Sequence, residues 1–124
     1  MNYFTVQKVL YKYHKHKGTE AERRSLEQIK THYRELPWIK YARKATKKED
    51  QEGIDIVVHT KNFGELFVQI KSSFKNAEKF YRKHPDKTVA MIIVREEYSD
   101  NVVWREVKGG LIRLRREILK NKYL

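Results

Sequence analysis

Three polar residues stand where an ordinary half-buried hairpin has no use for them. Asp55 lies within Gly53-Ile54-Asp55-Ile56, and Gln69 and Lys71 lie two apart within Val68-Gln69-Ile70-Lys71-Ser72. The apolar runs that contain them, Ile54–Thr60 and Leu66–Lys71, are of strand type, and the link between them holds Asn62 and Gly64, so the segment reads as a β-hairpin. Side chains alternate across a strand. Ile54, Ile56 and Val58 therefore share one face with Leu66, Val68 and Ile70, while Asp55, Val57 and His59 share the other with Phe67, Gln69 and Lys71. Burying an unpaired polar group is costly, so a carboxylate, a carboxamide and an ammonium on one hairpin face point to chemistry. Hard oxygen ligands of this kind suit Mg²⁺. Joined by Glu22, Asp55 would supply a second carboxylate, Gln69 a carboxamide oxygen and Ile70 its main-chain carbonyl. Lys71 beside them would orient or deprotonate a water and offset charge on a phosphate. Such a centre hydrolyses phosphodiesters.

Glu22 enters through helical geometry. Thr19 is a good N-cap with Glu22 three residues on, as in a capping box, and the helix should run to about Glu35, because the residue before Pro37 avoids the α region. Its inward stripe is Leu26, Ile29, Tyr33 and Leu36. At about 100° per residue Glu22 falls on that stripe, whereas Glu20 and Glu27 point away. Completing the capping box is the plainer role for Glu22 when the helix is considered alone.

The remaining elements must position these residues. Phe4–Tyr13 carries Val6, Val9, Leu10 and Tyr13 at helical spacing, and Gly18 is a plausible stop. Trp38–Arg43 reads as a strand, and the charge-dense segment Lys44–Glu52 as an exposed loop. Lys17, Arg43, Lys44, Lys47 and Lys48 are the cations expected to meet a nucleic-acid backbone. After the hairpin, Ser72 or Ser73 caps a helix to about Lys83, with Phe74, Ala77, Phe80 and Tyr81 on its apolar side. Pro85 and Asp86 turn the chain. Val89–Val94 has the continuous apolar character of a strand buried on both faces. Val102–Val107 reads as a further strand, Gly109-Gly110 as a break, and Leu111–Lys122 as the last helix. The expected order is α-α-β-β-β-α-β-β-α, an α/β domain with a central mixed sheet flanked by helices. His59 and Ser73 fit as a hydrogen-bonded strand residue and a helix cap, and Trp38 and Trp104 as core or interface.

At 124 residues the chain has the length of one domain. Lys and Arg number 28 against 16 Asp and Glu, a formal charge of +12 that predicts a polyanionic partner, nucleic acid before an anionic membrane surface. With no cysteine, disulfides and thiolate–zinc sites are excluded. His14 and His16 are the one close histidine pair, and the surrounding lysines would repel a cation. No apolar run approaches the roughly 20 residues of a membrane span, and the N-terminus lacks a signal-peptide core, so an intracellular, cytoplasmic protein is expected.

Gly53-Ile54-Asp55-Ile56, followed after the hairpin by Val68-Gln69-Ile70-Lys71-Ser72, resembles the active-site signature of the PD-(D/E)XK nuclease superfamily in its Gln-x-Lys variant. Lys17-Gly18-Thr19-Glu20-Ala21-Glu22 is similar to the opening of archaeal Holliday junction resolvases. The resemblance spans about residues 19–95, over which the superfamily core runs α-β-β-β-α-β. It implies that Glu22 is the helix-borne metal-binding acid, Asp55 the central aspartate, Gln69 the counterpart of the usual second acid and Lys71 the catalytic lysine. It further implies a DNA endonuclease using Mg²⁺, with Mn²⁺ as substitute, acting on double-stranded or branched DNA as a homodimer. Gln in place of Glu at 69 is similar to the branch with Mrr-type restriction nucleases and the nuclease subunit of some heteromeric transposases. It removes one negative charge and leaves open an inactive nucleic-acid-binding module, or a subunit of a larger restriction or transposition complex. A basic ribosomal or RNA-associated protein is the third reading, and it gives Asp55, Gln69 and Lys71 no reason to share a face.

Overall fold

A computed structural model describes residues 20–83 and 88–122. The helix expected over Phe4–Tyr13, the Thr19 cap, Lys17 and the turn at Pro85 and Asp86 lie outside the described residues.

Helix α1 covers residues 20–32 and tightens into a 3-10 turn, Tyr33–Glu35. Leu36, the residue before Pro37, has left the helical region at φ −119° and ψ 87°, as the proline ring requires. Four strands follow: β1 (Ile39–Lys44), β2 (Ile56–Thr60), β3 (Glu65–Lys71) and β4 (Ala90–Ile93). They form one sheet in the order β1-β2-β3-β4, antiparallel at the first two junctions and parallel between β3 and β4. Three further helices are α2 (Lys47–Gln51) between β1 and β2, α3 (Phe74–Lys83) in the β3–β4 crossover, and α4 (Asp100–Lys122) after β4.

The hairpin turns at Gly64, whose φ of +85° suits glycine, and Thr60 closes it by donating from Oγ1 to the Gly64 carbonyl at 2.6 Å. Its aliphatic face, Ile56, Val58, Leu66, Val68 and Ile70, is buried in the main core. Ala21 and Ile29 of α1, with Val103, Val107, Leu111 and Leu114 of α4, pack into the same core. The opposite face of β3, which carries Gln69 and Lys71, meets α3 through the buried Phe80, whose ring centroid lies 5.7 Å from Lys71 Nζ.

Three expectations are corrected. Val102–Val107 is not a strand but part of α4. The buried positions Val103, Trp104, Val107, Leu111 and Leu114 keep helical spacing, and Ser99 caps the start by accepting the Val102 N–H at 3.3 Å. Nor do Gly109 and Gly110 break the chain. A Cβ on Gly110 would stand 2.8 Å from Ile92 Cγ1, so the missing side chain lets α4 lie close against β4. Third, the loop expected over Lys44–Glu52 contains α2, opened by a capping box in which Thr46 Oγ1 accepts the Glu49 N–H and the Glu49 carboxylate accepts the Thr46 N–H. Among the described residues the order is therefore α-β-α-β-β-α-β-α, with four strands in place of five. Among the described residues, no helix is long and apolar enough to cross a membrane.

Candidate active site

The site forms at the end of the sheet where β2 begins and β3 ends. Asp55 is the last residue before β2, and its backbone is clamped on both sides. Its N–H donates to the Val68 carbonyl at 2.8 Å, and its carbonyl accepts the Ala45 N–H at 3.0 Å. The ladder between β2 and β3 stops at the Ile56–Val68 pair, so the Ile70 N–H needs another acceptor. Asp55 Oδ2 supplies it at 2.7 Å. The aspartate is 6% exposed, held by local ladder geometry in one orientation.

Glu22, on the first turn of α1, reaches Asp55 from the other side, and the two carboxyl groups share a hydrogen bond. Burial, then the charge of Asp55 and this bond, then Asp50, push Glu22 up to about 7, against a small opposing pull from Lys44. Asp55 is also raised, chiefly by burial, with the Ile70 N–H, the Glu22 bond and Lys71 working the other way. Without a cation the pair holds a proton toward neutral pH.

Gln69 is 5% exposed, and its Oε1 is buried without a hydrogen-bond partner. Leaving a buried acceptor unmade costs about 1–3 kcal/mol, and such an orphan calls for a water or an ion. Glu22, Asp55, Gln69, Ile70 and Lys71 all line one cleft of about 640 Å³. Two carboxylates and a carboxamide oxygen are a set of the donor type that a hard divalent cation takes, and Gln69 Oε1 within it has no hydrogen-bond partner. The set is short of acid. Among the described residues, no group of three or more His, Cys, Asp or Glu side chains is arranged to hold a metal ion.

The same cleft carries residues not singled out in the sequence. Asp50 of α2 lines it and adds negative charge to both Glu22 and Asp55. The Thr46–Glu49 capping box was the signal that a helix would put it there. Asn76, Lys79 and Lys83 of α3 line it as well; their helical spacing was readable, but the side of the sheet on which α3 packs was not. Gly53, at φ +88°, passes so close to Phe80 that a Cβ would stand 2.6 Å from its ring.

The cations expected to contact phosphates divide. Arg43 is engaged within the protein. Nη1 and Nη2 donate to the Glu49 carboxylate at 2.7 and 3.1 Å, and Nε donates to His59 Nε2 at 3.1 Å. The guanidinium, followed by hydrogen bonds from Thr46, holds Glu49 down to about 2. Lys44, Lys47 and Lys48 are exposed, and Lys44 borders a second cleft of about 460 Å³ on the other side of Glu22 and Asp55. His59 is a hydrogen-bonded strand residue stacked on Tyr41 at 4.3 Å, and Ser73 caps α3 through the Asn76 N–H at 3.3 Å. Trp104 is buried with Nε1 donating to Glu35 at 3.1 Å, and Trp38 packs on Phe63 at 5.8 Å, so both belong to packing.

Comparison with protein-family models, with curated proteins and with solved structures finds no match. The functional reading therefore rests on the site itself.

Proposed function

We propose that this protein is a metal-dependent endonuclease that hydrolyses DNA phosphodiester bonds, of the PD-(D/E)XK type in its Gln-x-Lys form. The observation that carries the reading is the buried, unpartnered Gln69 Oε1 in one cleft with the Glu22–Asp55 pair and Lys71. The run of elements from α1 to β4, with the short α2 set aside, agrees with the order the resemblance implies. The formal charge of +12 suits a polyanionic substrate.

Glu22, Asp55 and Gln69, with the Ile70 carbonyl, would hold Mg²⁺ or Mn²⁺. When bound, such an ion polarises the phosphoryl oxygen and makes a water more acidic. The protein's own contributions are separable. Asp55 is pre-oriented by Ile70, so little freedom is lost when it binds a cation. Glu22 and Asp55 share a proton near neutral pH and would give it up on holding such an ion. Lys71, at the end of β3, brings a fixed positive charge toward the phosphate and offsets the charge that grows on it during attack. Hydrolysis forms one P–O bond from water and breaks another, and the departing oxygen gains a proton. Cutting both strands needs two sites, which a homodimer would supply.

The neutral Gln69 and a ligand set with only two carboxylates favour one second reading, a binding module or a subunit that cuts only within a larger complex. A panel of plain duplex, flap, four-way junction and single-stranded DNA, each with Mg²⁺, Mn²⁺ or EDTA, separates the two. Metal-dependent cutting lost in Asp55→Ala and Lys71→Ala is the expected result. Equal binding with and without metal, and no cutting, would leave the module.

A further inference from the structure

The cleft has two unlike walls. One carries Glu22, Asp50 and Asp55; the other starts at Lys71 and continues along α3 through Asn76, Lys79 and Lys83. Those three α3 residues are spaced i, i+3 and i+7, a single stripe of one helix. The stripe's orientation is fixed from beneath. Ala77 and Phe80 are buried, and Phe80 is wedged between Gly53 and Lys71, so α3 cannot roll without losing that contact. Lys79 and Lys83 are exposed and, among the described residues, neither enters an ion pair. The one acid of α3, Glu78, is a neighbour of Lys79 in sequence and so faces about 100° away. Arg43, by contrast, is already saturated by Glu49 and His59.

We propose that α3 is the track for the DNA strand, with Lys79 and Lys83 holding two nearby phosphates of the strand whose scissile bond lies at Lys71 and Asn76. The inference rests on the DNA-cleaving reading above and adds where the strand runs. Four residues of helix advance about 6 Å, and one strand of a duplex advances about 3.4 Å per phosphate. The two ammonium groups therefore stand about two phosphate steps apart. α3 leads away from the end of β3, so the strand enters across the acid wall and leaves along the cationic one. The negative wall repels phosphate unless a cation occupies it, which confines free phosphates to α3.

The test is DNA binding by the full chain, measured in EDTA by fluorescence anisotropy across a salt series on a labelled duplex and a four-way junction. Each phosphate contact contributes about 0.9 to the slope of log K against log salt on duplex DNA. Lys79→Gln with Lys83→Gln should flatten that slope by about 1.8, and Lys79→Glu with Lys83→Glu should weaken binding further. Arg116→Gln with Lys120→Gln has the same spacing on α4, which packs on the opposite face of the sheet, and should keep the wild-type slope. An unchanged slope in the α3 variant, an equal loss in both pairs, or no DNA binding by the wild type overturns the track. Metal-dependent cleavage, scored separately, decides the nuclease reading, so an active enzyme with an unchanged slope sinks the track alone.

Discussion

Asp55 Oδ2 accepts the main-chain N–H of Ile70 at 2.7 Å, tying the residue before β2 to the penultimate residue of β3. The bond does two things. It satisfies a strand N–H that the ladder leaves unpaired, and it fixes the carboxylate at the end of β3. Structure and chemistry can be separated at this residue because asparagine keeps an acceptor and loses the charge. Asp55→Asn should fold normally and be inactive, while Asp55→Ala should be inactive and less stable than the asparagine variant by about 1–3 kcal/mol, the cost of an unmade buried bond. Urea titrations of both variants beside a cleavage assay give the comparison. Equal stabilities would remove the structural half of the argument.

A second prediction follows from the proton shared by Glu22 and Asp55. Glu22 moves from the ordinary 4.5 up to about 7 in the folded protein. Between those values the folded state holds a proton that the unfolded chain has released, so this group's contribution to stability is fully present below about 4.5 and is lost as pH rises through about 7. This contribution should vanish in Glu22→Gln, and added Mg²⁺ should stabilise the protein more on the alkaline side of the window than within it. Calorimetric titration with Mg²⁺ in two buffers of different ionisation heat should reveal proton release toward neutral pH. A metal response independent of pH would show that the pair does not bind the ion.

Gln69 sets stability against function. Replacing its orphaned buried Oε1 by carbon, as in Gln69→Leu, should raise the stability of the metal-free protein by about 1–3 kcal/mol. The same change should abolish Mg²⁺-dependent stabilisation. Gln69→Glu adds a third carboxylate to a pair that already cannot hold two charges, so it should lower metal-free stability at neutral pH and strengthen Mn²⁺ binding. Thermal unfolding with and without each ion tests all three statements. Loss of stability in Gln69→Leu would mean that Oε1 has an unseen partner.

How much of this was legible depends on how local the determinants are. The hairpin faces follow from strict alternation, and helical periodicity puts Glu22 on the inward stripe, although the helix alone leaves a capping box as its plainer role. What failed was non-local or double-valued. Val102, Val103 and Val107 are β-branched and suit a strand, yet the same positions also satisfy a helical stripe, and only the sheet beneath decides. Arg43 reads as a free cation in the sequence because its partner Glu49 sits on a helix whose charge density reads as a loop. Asp50 was overlooked for the same reason, although Thr46 and Glu49 carry the spacing of a capping box.

The paired glycines of α4 allow a last prediction in which two neighbours act in opposite directions. Alanine is favoured over glycine in a helix interior by about 1 kcal/mol. At Gly109 the new methyl would meet the end of the Arg113 side chain at 3.3 Å, a group free to move aside. Gly109→Ala should therefore stabilise the protein by most of that amount. At Gly110 the methyl would stand 2.8 Å from Ile92 Cγ1 and 3.1 Å from its Cδ1, where α4 packs on β4. Overpacking of a well-filled core costs about 1–3 kcal/mol, which outweighs the propensity gain. Gly110→Ala should be destabilising, and Ile92→Val should recover part of the loss by shortening the side chain in the way. A double-mutant cycle between positions 92 and 110, read by urea denaturation, should give a favourable coupling. No coupling would mean that glycine at 110 serves something other than the approach of α4 to β4.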